Sequence, residues 1–484
     1  MFEQIRKLIG HSLVYGVGVL CSGISMLVVT PMFLHRLPRE EYGAVEVLNT
    51  YSSMLVVALL LGMASVFIKV YMNDCRSEDE RITLVSSIVA LTLALGGLVV
   101  GVSFLFPEML SNVVLGSDRY ILVVRLASCY GALLLTQSVI MLSLRAKQLP
   151  GQFVGVSVVQ LALLASLNLY LVWQKNMGIL GIQIAGVTSA SIATLFGLFW
   201  IRSLLRFRLS ARQLRSVLLL AIPVIPVSIA PWILGMSNRY FLRSLCGLSD
   251  TGLYAVGDKL GAVGMMMAIN AFQLAWSPLF FANSESEDAK ELCANVWKYF
   301  VCVLIFLAVV FSVFARDIVR VIAEPQYWSA YTITPYIAAS YLFYGLHFFT
   351  VPLFIHKNRG GILSIIMGGV AAANILLNYF LIGKYGMRGA VITALISYSL
   401  LAIADTVLVN RYYPVKFPYL SLAKAGAAAV GLYLIYSSVQ IGDIGTALVK
   451  GTVIILFPAA LLAVGFFDRR EKSALCRLWS SVFR

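Results

Sequence analysis

Charge is what this chain has least of. Asp, Glu, Lys and Arg make up only 12% of its 484 residues, while 60% are hydrophobic. One soluble core cannot bury that much apolar surface. Cysteine is sparse too. Cys21, Cys75, Cys129, Cys246, Cys293, Cys302 and Cys476 form no CxxC and no paired spacing, so neither a disulfide framework nor a thiolate metal site is supported. The histidines, His11, His35, His347 and His356, make no HExxH. Long polar stretches are missing, which leaves no room for a soluble domain between apolar runs. The net charge of +15 would suggest nucleic acid in a soluble protein. Here no basic stripe with interleaved aromatics lies outside the apolar runs, so lipid headgroups are the expected counter-charge.

What is present is a series of apolar segments long enough to cross a bilayer. Fourteen are countable: 12–34, 43–68, 82–106, 119–143, 151–173, 178–201, 215–238, 252–280, 296–315, 331–355, 361–383, 387–409, 420–438 and 446–467. Each is close to the roughly 17–25 residues that a membrane helix needs. Arg6 and Lys7 precede the first run, which is too long for a signal-peptide core and is expected to stay as a span. Placing the N-terminus in the cytoplasm puts 22 Lys and Arg in inner connections and 9 in outer ones. Positive charge is retained inside, so both termini are expected to be cytoplasmic.

The sequence echoes itself. TPMFLHRLPREEYGAVEV, residues 30–47, parallels NRYFLRSLCGLSDTGLYAVGD, residues 238–258. NLYLVWQKNMGILGIQIAGVTSA, residues 168–190, parallels NYFLIGKYGMRGAVITALISY, residues 378–398. The offset of about 210 residues is six spans, an even number, so both copies keep one orientation. The expected fold is an all-α polytopic membrane protein of about 14 helices. Two pseudo-symmetric six-helix lobes, 1–201 and 215–411, would be joined by a basic cytoplasmic linker, 202–214. Residues 412–484 would add two transmembrane helices and a basic tail.

The stretch Pro223 to Phe281 concentrates the unusual residues. Pro223, Pro226 and Pro231 break or bend a membrane helix and are hinge candidates. Asp258 and Lys259 are ionisable groups inside an apolar span, a costly placement that defaults to a functional reading. With Arg125 and Glu46 they fall in the outer part of the bilayer, about 5–10 Å deep at 1.5 Å of rise per residue. Asn270, Gln273 and Trp276 share one helical face and are sugar-contact candidates. Each has a plainer alternative. Arg125 can snorkel to the headgroups, Glu46 can be solvated, and the amides can bond between helices. Asp258 and Lys259 point about 100° apart, so one can line a cavity while the other pairs between helices. Asp405, one turn from the inner end of its span, reads as structural, and Lys69, Arg145 and Lys298 as snorkelling cations.

GLYAVGDKLGAV, FQLAWSPLF and NILLNYFLIGKYGMRGAVITALISY, with LVVTPMFLHRLPREEYGAVEVL near the start, resemble signatures of bacterial polysaccharide-biosynthesis flippases. That family lies within the multidrug/oligosaccharidyl-lipid/polysaccharide exporter superfamily. The resemblance covers most of the first twelve spans. It implies two lobes around a cavity and alternating access. It also implies a polyprenyl-diphosphate-linked oligosaccharide moved from the cytoplasmic to the outer leaflet of the inner membrane, alongside other polysaccharide-assembly proteins. It gives Arg239 an outer-gate role. It implies no cofactor and no enzymatic step, and leaves the driving ion open among proton, sodium and neither. One departure stands out. Related sequences often read Asp-Arg-Tyr where this chain reads Asn238-Arg239-Tyr240, and the missing carboxylate counts against cation coupling there. The alternatives are a cation-coupled drug exporter of the same superfamily, and a membrane polymerase or ligase acting on lipid-linked sugars. The outer loops are too short to build the extramembrane site such an enzyme needs.

Overall fold

The computed structural model describes residues 29–438 apart from 61 and 207, residues 443–467, and residue 471. Among the described residues there are helices and no strand. Twelve helices among the described residues are long and apolar enough to cross a membrane. They are α1 (Arg39–Leu60), α2 (Glu78–Leu105), α3 (Asp118–Ala146), α4 (Pro150–Gln174), α5 (Gly178–Leu204), α6 (Ala211–Leu245), α7 (Leu248–Asn283), α8 (Ala289–Ile322), α9 (Thr334–His356), α10 (Gly360–Tyr385), α11 (Met387–Tyr412) and α12 (Tyr419–Tyr436). A further helix, α13, spans Asp443–Ala463. These follow the second to fourteenth apolar runs in order. The first run lies outside the described residues except at its end, where residues 29–36 are helical. The chain is an all-helical, multi-pass membrane protein. Helices suit that setting because they satisfy their own backbone groups where no water can. Leu98, Phe104, Leu195, Ile365 and Leu434 are largely exposed, as lipid-facing side chains should be.

Two compact units are distinguishable. One comprises Met1–Ala255, Ile322–Tyr327 and Met367–Thr393; the other comprises Val256–Val321, Trp328–Ile366 and Ala394–Arg484. In the first unit α3 is central and packs on α1, α2 and α5. Small residues let the backbones close in: Ser52 donates to the Ala127 carbonyl at 3.0 Å, and Tyr51 meets Ser128 at 3.0 Å. Ser77 caps α2 with a full capping box, its hydroxyl accepting from the Glu80 amide. The basic linker is tied to this end. Arg206 and Arg208 reach Asp79 at 3.2 and 3.6 Å, and the Arg206 amide donates to Ser86 at 3.0 Å. Exposed pairs of this kind add only about 0.2–1 kcal/mol each. The segment Ile322–Tyr327 joins this unit through Tyr327, whose hydroxyl donates to the Leu37 carbonyl at 2.9 Å.

The proline-rich helix breaks where the sequence places its hinge candidates. A 3-10 turn, Ile222–Val224, interrupts α6 at Pro223; Pro226 opens the next helical segment, and Pro231 lies inside it. Opposite this break, Gly62 ends the straight part of α1 at φ +70°, with Ala221 and Ile225 beside it. Two neighbouring helices are thus interrupted at one level.

In the second unit an aromatic ladder joins α7, α8 and α9. Phe272 stacks on Phe300 with centroids 3.6 Å apart, and Trp276 stacks on Phe349 at 4.7 Å. Lys298 is buried rather than snorkelling, because Glu471 accepts from it at 2.7 and 2.9 Å. Lys450 is paired with Asp317.

Candidate functional site

The first unit carries a buried polar core in an otherwise apolar interior. Its charged part is Glu46 on α1 and Arg239 on α6. The Arg239 Nε lies 3.4 Å from the Glu46 carboxylate, and both side chains are at most 5% exposed. Arg239 also donates through Nη1 to the Gly235 carbonyl at 3.0 Å. A lone charge at this burial would be strongly destabilising, whereas a paired one is tolerated. The pairing depends on a close crossing one turn away. A Cβ on Gly43 would overlap the Leu248 carbonyl, and one on Gly252 would overlap the Arg39 carbonyl. Only glycine at both positions lets α1 pass the start of α7.

The uncharged part is a carboxamide cluster. Asn378 Nδ2 faces Asn238 Oδ1 at 3.0 Å, Asn374 Oδ1 at 3.0 Å and Ser237 Oγ at 3.2 Å. Asn238 Nδ2 donates to the Tyr254 hydroxyl at 2.8 Å. Every one of these residues is buried, and the Asn378 Oδ1 has no hydrogen-bond partner among the described residues. The local backbone explains the aim of Asn378. It opens a π-helical turn, Asn378–Ile382, which swells the helix and swings the side chain inward. Single π-turns concentrate at functional sites. The cluster contains amides, a hydroxyl and a phenol but no carboxylate, so it holds no fixed negative charge.

A groove of about 580 Å³ runs beside α1, α3 and α4 in the same unit. Its polar lining is Ser53, Gln137, Ser138 and Gln160, with the exposed Arg145 at one end. Gln137 donates to Gln160 at 2.7 Å, and the buried Gln137 Oε1 has no hydrogen-bond partner among the described residues. Amides, hydroxyls, one cation and an apolar floor suit an amphipathic ligand.

The remaining expected site residues are placed as follows. Arg125 is half-buried on α3; its Nε donates to the Ser103 carbonyl at 3.3 Å, and its guanidinium lies 4.8 Å from the Phe104 ring. In the second unit Asp258 is buried and Lys259 is half-buried. Asn270 and Gln273 are half-buried on the same helix. Trp276 is 1% exposed, and its single donor is taken by the Phe349 carbonyl at 2.9 Å. The structure therefore brings together Glu46 with Arg239, and Trp276 with the aromatic ladder.

No family model matches the chain, and no curated protein matches it in sequence. Solved structures do. The lipid II flippase MurJ, in an inward closed conformation, aligns at TM-score 0.72 and 13% identity, covering 93% of this chain and 98% of that one. An inward-facing multidrug resistance MATE family transporter of the MOP superfamily aligns at 0.60 and 15%, covering 81% and 96%. The Vibrio cholerae MATE transporter VcmN aligns at 0.54 and 17%, covering 84% and 96%.

The chain shares the fold of these solved structures.

Within this fold, several buried polar groups belong to no sequence motif. Asn374 and Asn378 are spaced i, i+4, which puts two amides on one helical face, and that spacing was the available clue. Gln137 and Gln160 sit on different helices and meet only in space. His347 and Asp405 form a buried hydrogen bond at 2.7 Å in the second unit, again across helices.

Proposed function

We propose that this chain is a flippase that moves a polyprenyl-diphosphate-linked oligosaccharide across a bacterial inner membrane, by alternating access and without an enzymatic step. The observation that carries the reading is the extent of the fold match. The lipid II flippase aligns over 93% of this chain, against 81% and 84% for the two drug transporters. Helices α12 and α13, beyond a twelve-helix plan, fit that difference. The flippase signatures of the sequence agree with it. On this reading the termini are cytoplasmic and the lobes 1–201 and 215–411 are the moving halves, flexing at Pro223, Pro226 and Pro231.

The chemistry of the cargo fits the polar groups present. Sugars and phosphates cannot shed water into lipid, so a protein-lined path must supply donors, acceptors and cations. The amide and hydroxyl groups of the α1–α3–α4 groove serve sugar hydroxyls, and Arg145 at its end serves the diphosphate. Arg125 and Lys259 add positive charge further along each half. Asp258, Asn270 and Gln273 supply further polar contacts in the second. Each contact must stay weak enough for release, which favours dispersed groups over a closed pocket. The test is reconstitution of the purified protein with a fluorescent lipid-diphosphate oligosaccharide and, separately, with a cationic dye. Flipping of the lipid without dye efflux supports the reading; dye efflux without flipping overturns it in favour of a drug exporter.

A further inference from the structure

The second unit holds a titratable pair that the transport reading above does not use. His347 lies near the middle of α9 and Asp405 on α11, with Nδ1 and Oδ2 at 2.7 Å. The Asp405 side chain is 0% exposed and that of His347 8%. The second carboxylate oxygen, Oδ1, is buried and has no hydrogen-bond partner among the described residues. The Thr350 hydroxyl, which faces Asp405, donates instead to the His347 carbonyl at 2.8 Å. Rings close the surroundings: Tyr344 lies parallel to the imidazole at 6.0 Å, and Tyr398 stacks on Tyr344 at 4.7 Å.

We propose that His347 and Asp405 form a proton-binding site whose occupancy is coupled to movement of α9 against α11. The argument is one of charge. With one shared proton the pair is neutral overall, whether written as imidazolium–carboxylate or imidazole–carboxylic acid. Losing that proton leaves a net negative charge in an apolar, ring-lined site; gaining a second leaves a net positive charge. Either state is strongly disfavoured there until water enters. A buried pair thus tolerates one proton count when closed and releases or binds a proton when the helices part. Oδ1 favours the same outcome, because an ionised carboxylate needs partners on both oxygens, and here the Thr350 hydroxyl must leave the His347 carbonyl, or water must enter, to supply the second.

The groups facing the pair leave it in command of its own protonation. On α9 and α11 the titratable neighbours are the phenols of Tyr341, Tyr344 and Tyr398. Helix α7 contributes Asp258 and Lys259, but its Gly257 carbonyl meets Thr334. That level lies 13 residues, about 20 Å of helix, from His347. Helix α8 packs on α9 where Leu304 meets Gly345, with Cys302 and the Glu471-paired Lys298 further along it. His356 sits at the end of α9 beside Glu285 at 3.7 Å. Among the described residues, His347 is the titratable side chain in hydrogen-bond contact with Asp405.

The proposal rests on the transporter reading for its purpose, but its test needs no cargo. Infrared difference spectra of the purified full-length protein in lipid, acid minus alkaline, should carry a protonated-carboxyl band that Asp405→Asn removes. His347→Gln, which keeps an amide donor on the same helix without the charge, should move the midpoint of that band by about one pH unit or more. If Asp405→Asn does not fold, Asp405→Glu should instead shift the frequency of the band. Amide exchange in α9 and α11 should change with the same midpoint. Spectra in which no carboxyl band responds to either substitution at Asp405, or a midpoint indifferent to His347→Gln, would overturn the proposal and leave the flippase assignment standing.

Discussion

Asn168 and Asn378 occupy the same structural position in the two copies of the sequence repeat. Each is buried, and each leaves its side-chain Oδ1 without a hydrogen-bond partner among the described residues. Each stands at a π-helical turn, Leu169–Gln174 and Asn378–Ile382. Each turn is followed by a returning helix whose glycine packs against it. A Cβ on Gly181 would crowd Leu171, and one on Gly389 would overlap the Leu381 carbonyl. The echo in the letters is therefore an echo in the backbone.

The two asparagines should nevertheless differ in their worth. Asn168 donates only within its own helix, to the Leu164 carbonyl at 2.8 Å, while Asn378 ties three buried side chains together. Asn378→Ala strands those groups and should cost about 1–3 kcal/mol; Asn168→Ala should cost less. Thermal unfolding of the purified protein in detergent orders the two, and equal losses would contradict the network.

Glu46 and Arg239 should behave as a pair. Removing one, by Glu46→Gln or Arg239→Leu, breaks a buried ion pair and should cost about 3–5 kcal/mol. Removing both should cost less than the sum. Unfolding midpoints for the two single variants and the double variant give the coupling, and strict additivity would refute it.

The crossing of α1 and α7 predicts a sharp positional contrast. Gly43→Ala or Gly252→Ala forces backbone apart and should sharply lower the yield of folded protein. Gly97→Ala and Gly101→Ala, on α2, meet nothing within 4 Å and should be neutral or slightly stabilising. Fluorescence size-exclusion profiles of the four variants distinguish the outcomes; four similar profiles would contradict the crossing.

Much of this was legible in the letters. Twelve apolar runs became α1–α12 because length and hydropathy alone decide whether a helix can span lipid. The break in α6 was legible because proline lacks a donor and clashes with the preceding turn. Partnerships were less so. Glu46 and Arg239 were both singled out, but nothing local joins them, and the plainer reading of Glu46 was a solvated residue. Trp276 was read as a sugar contact or a helix contact, and only the fold reveals that its indole donor is taken by Phe349. The π-turns left no trace, because one inserted residue hardly alters a hydrophobic pattern. His347 and Asp405 meet across helices with no motif between them.

Arg125 carries a prediction of its own. Among the described residues the guanidinium is held by one carbonyl and one ring rather than by an acid, so charge remains for an anion. Arg125→Ala should abolish lipid flipping while leaving protein yield near wild type, and Arg125→Lys should restore it in part. Full activity of Arg125→Ala in proteoliposomes would make the residue an anchor at the membrane interface.

The most direct test of the central claim is leaflet accessibility of a fluorescent polyprenyl-diphosphate oligosaccharide in proteoliposomes. With the protein present, a membrane-impermeant quencher should extinguish well over the half of the signal expected from the outer leaflet, at a rate that rises with protein per vesicle. A signal that stays at the protein-free level in vesicles holding correctly folded protein would contradict the flippase account.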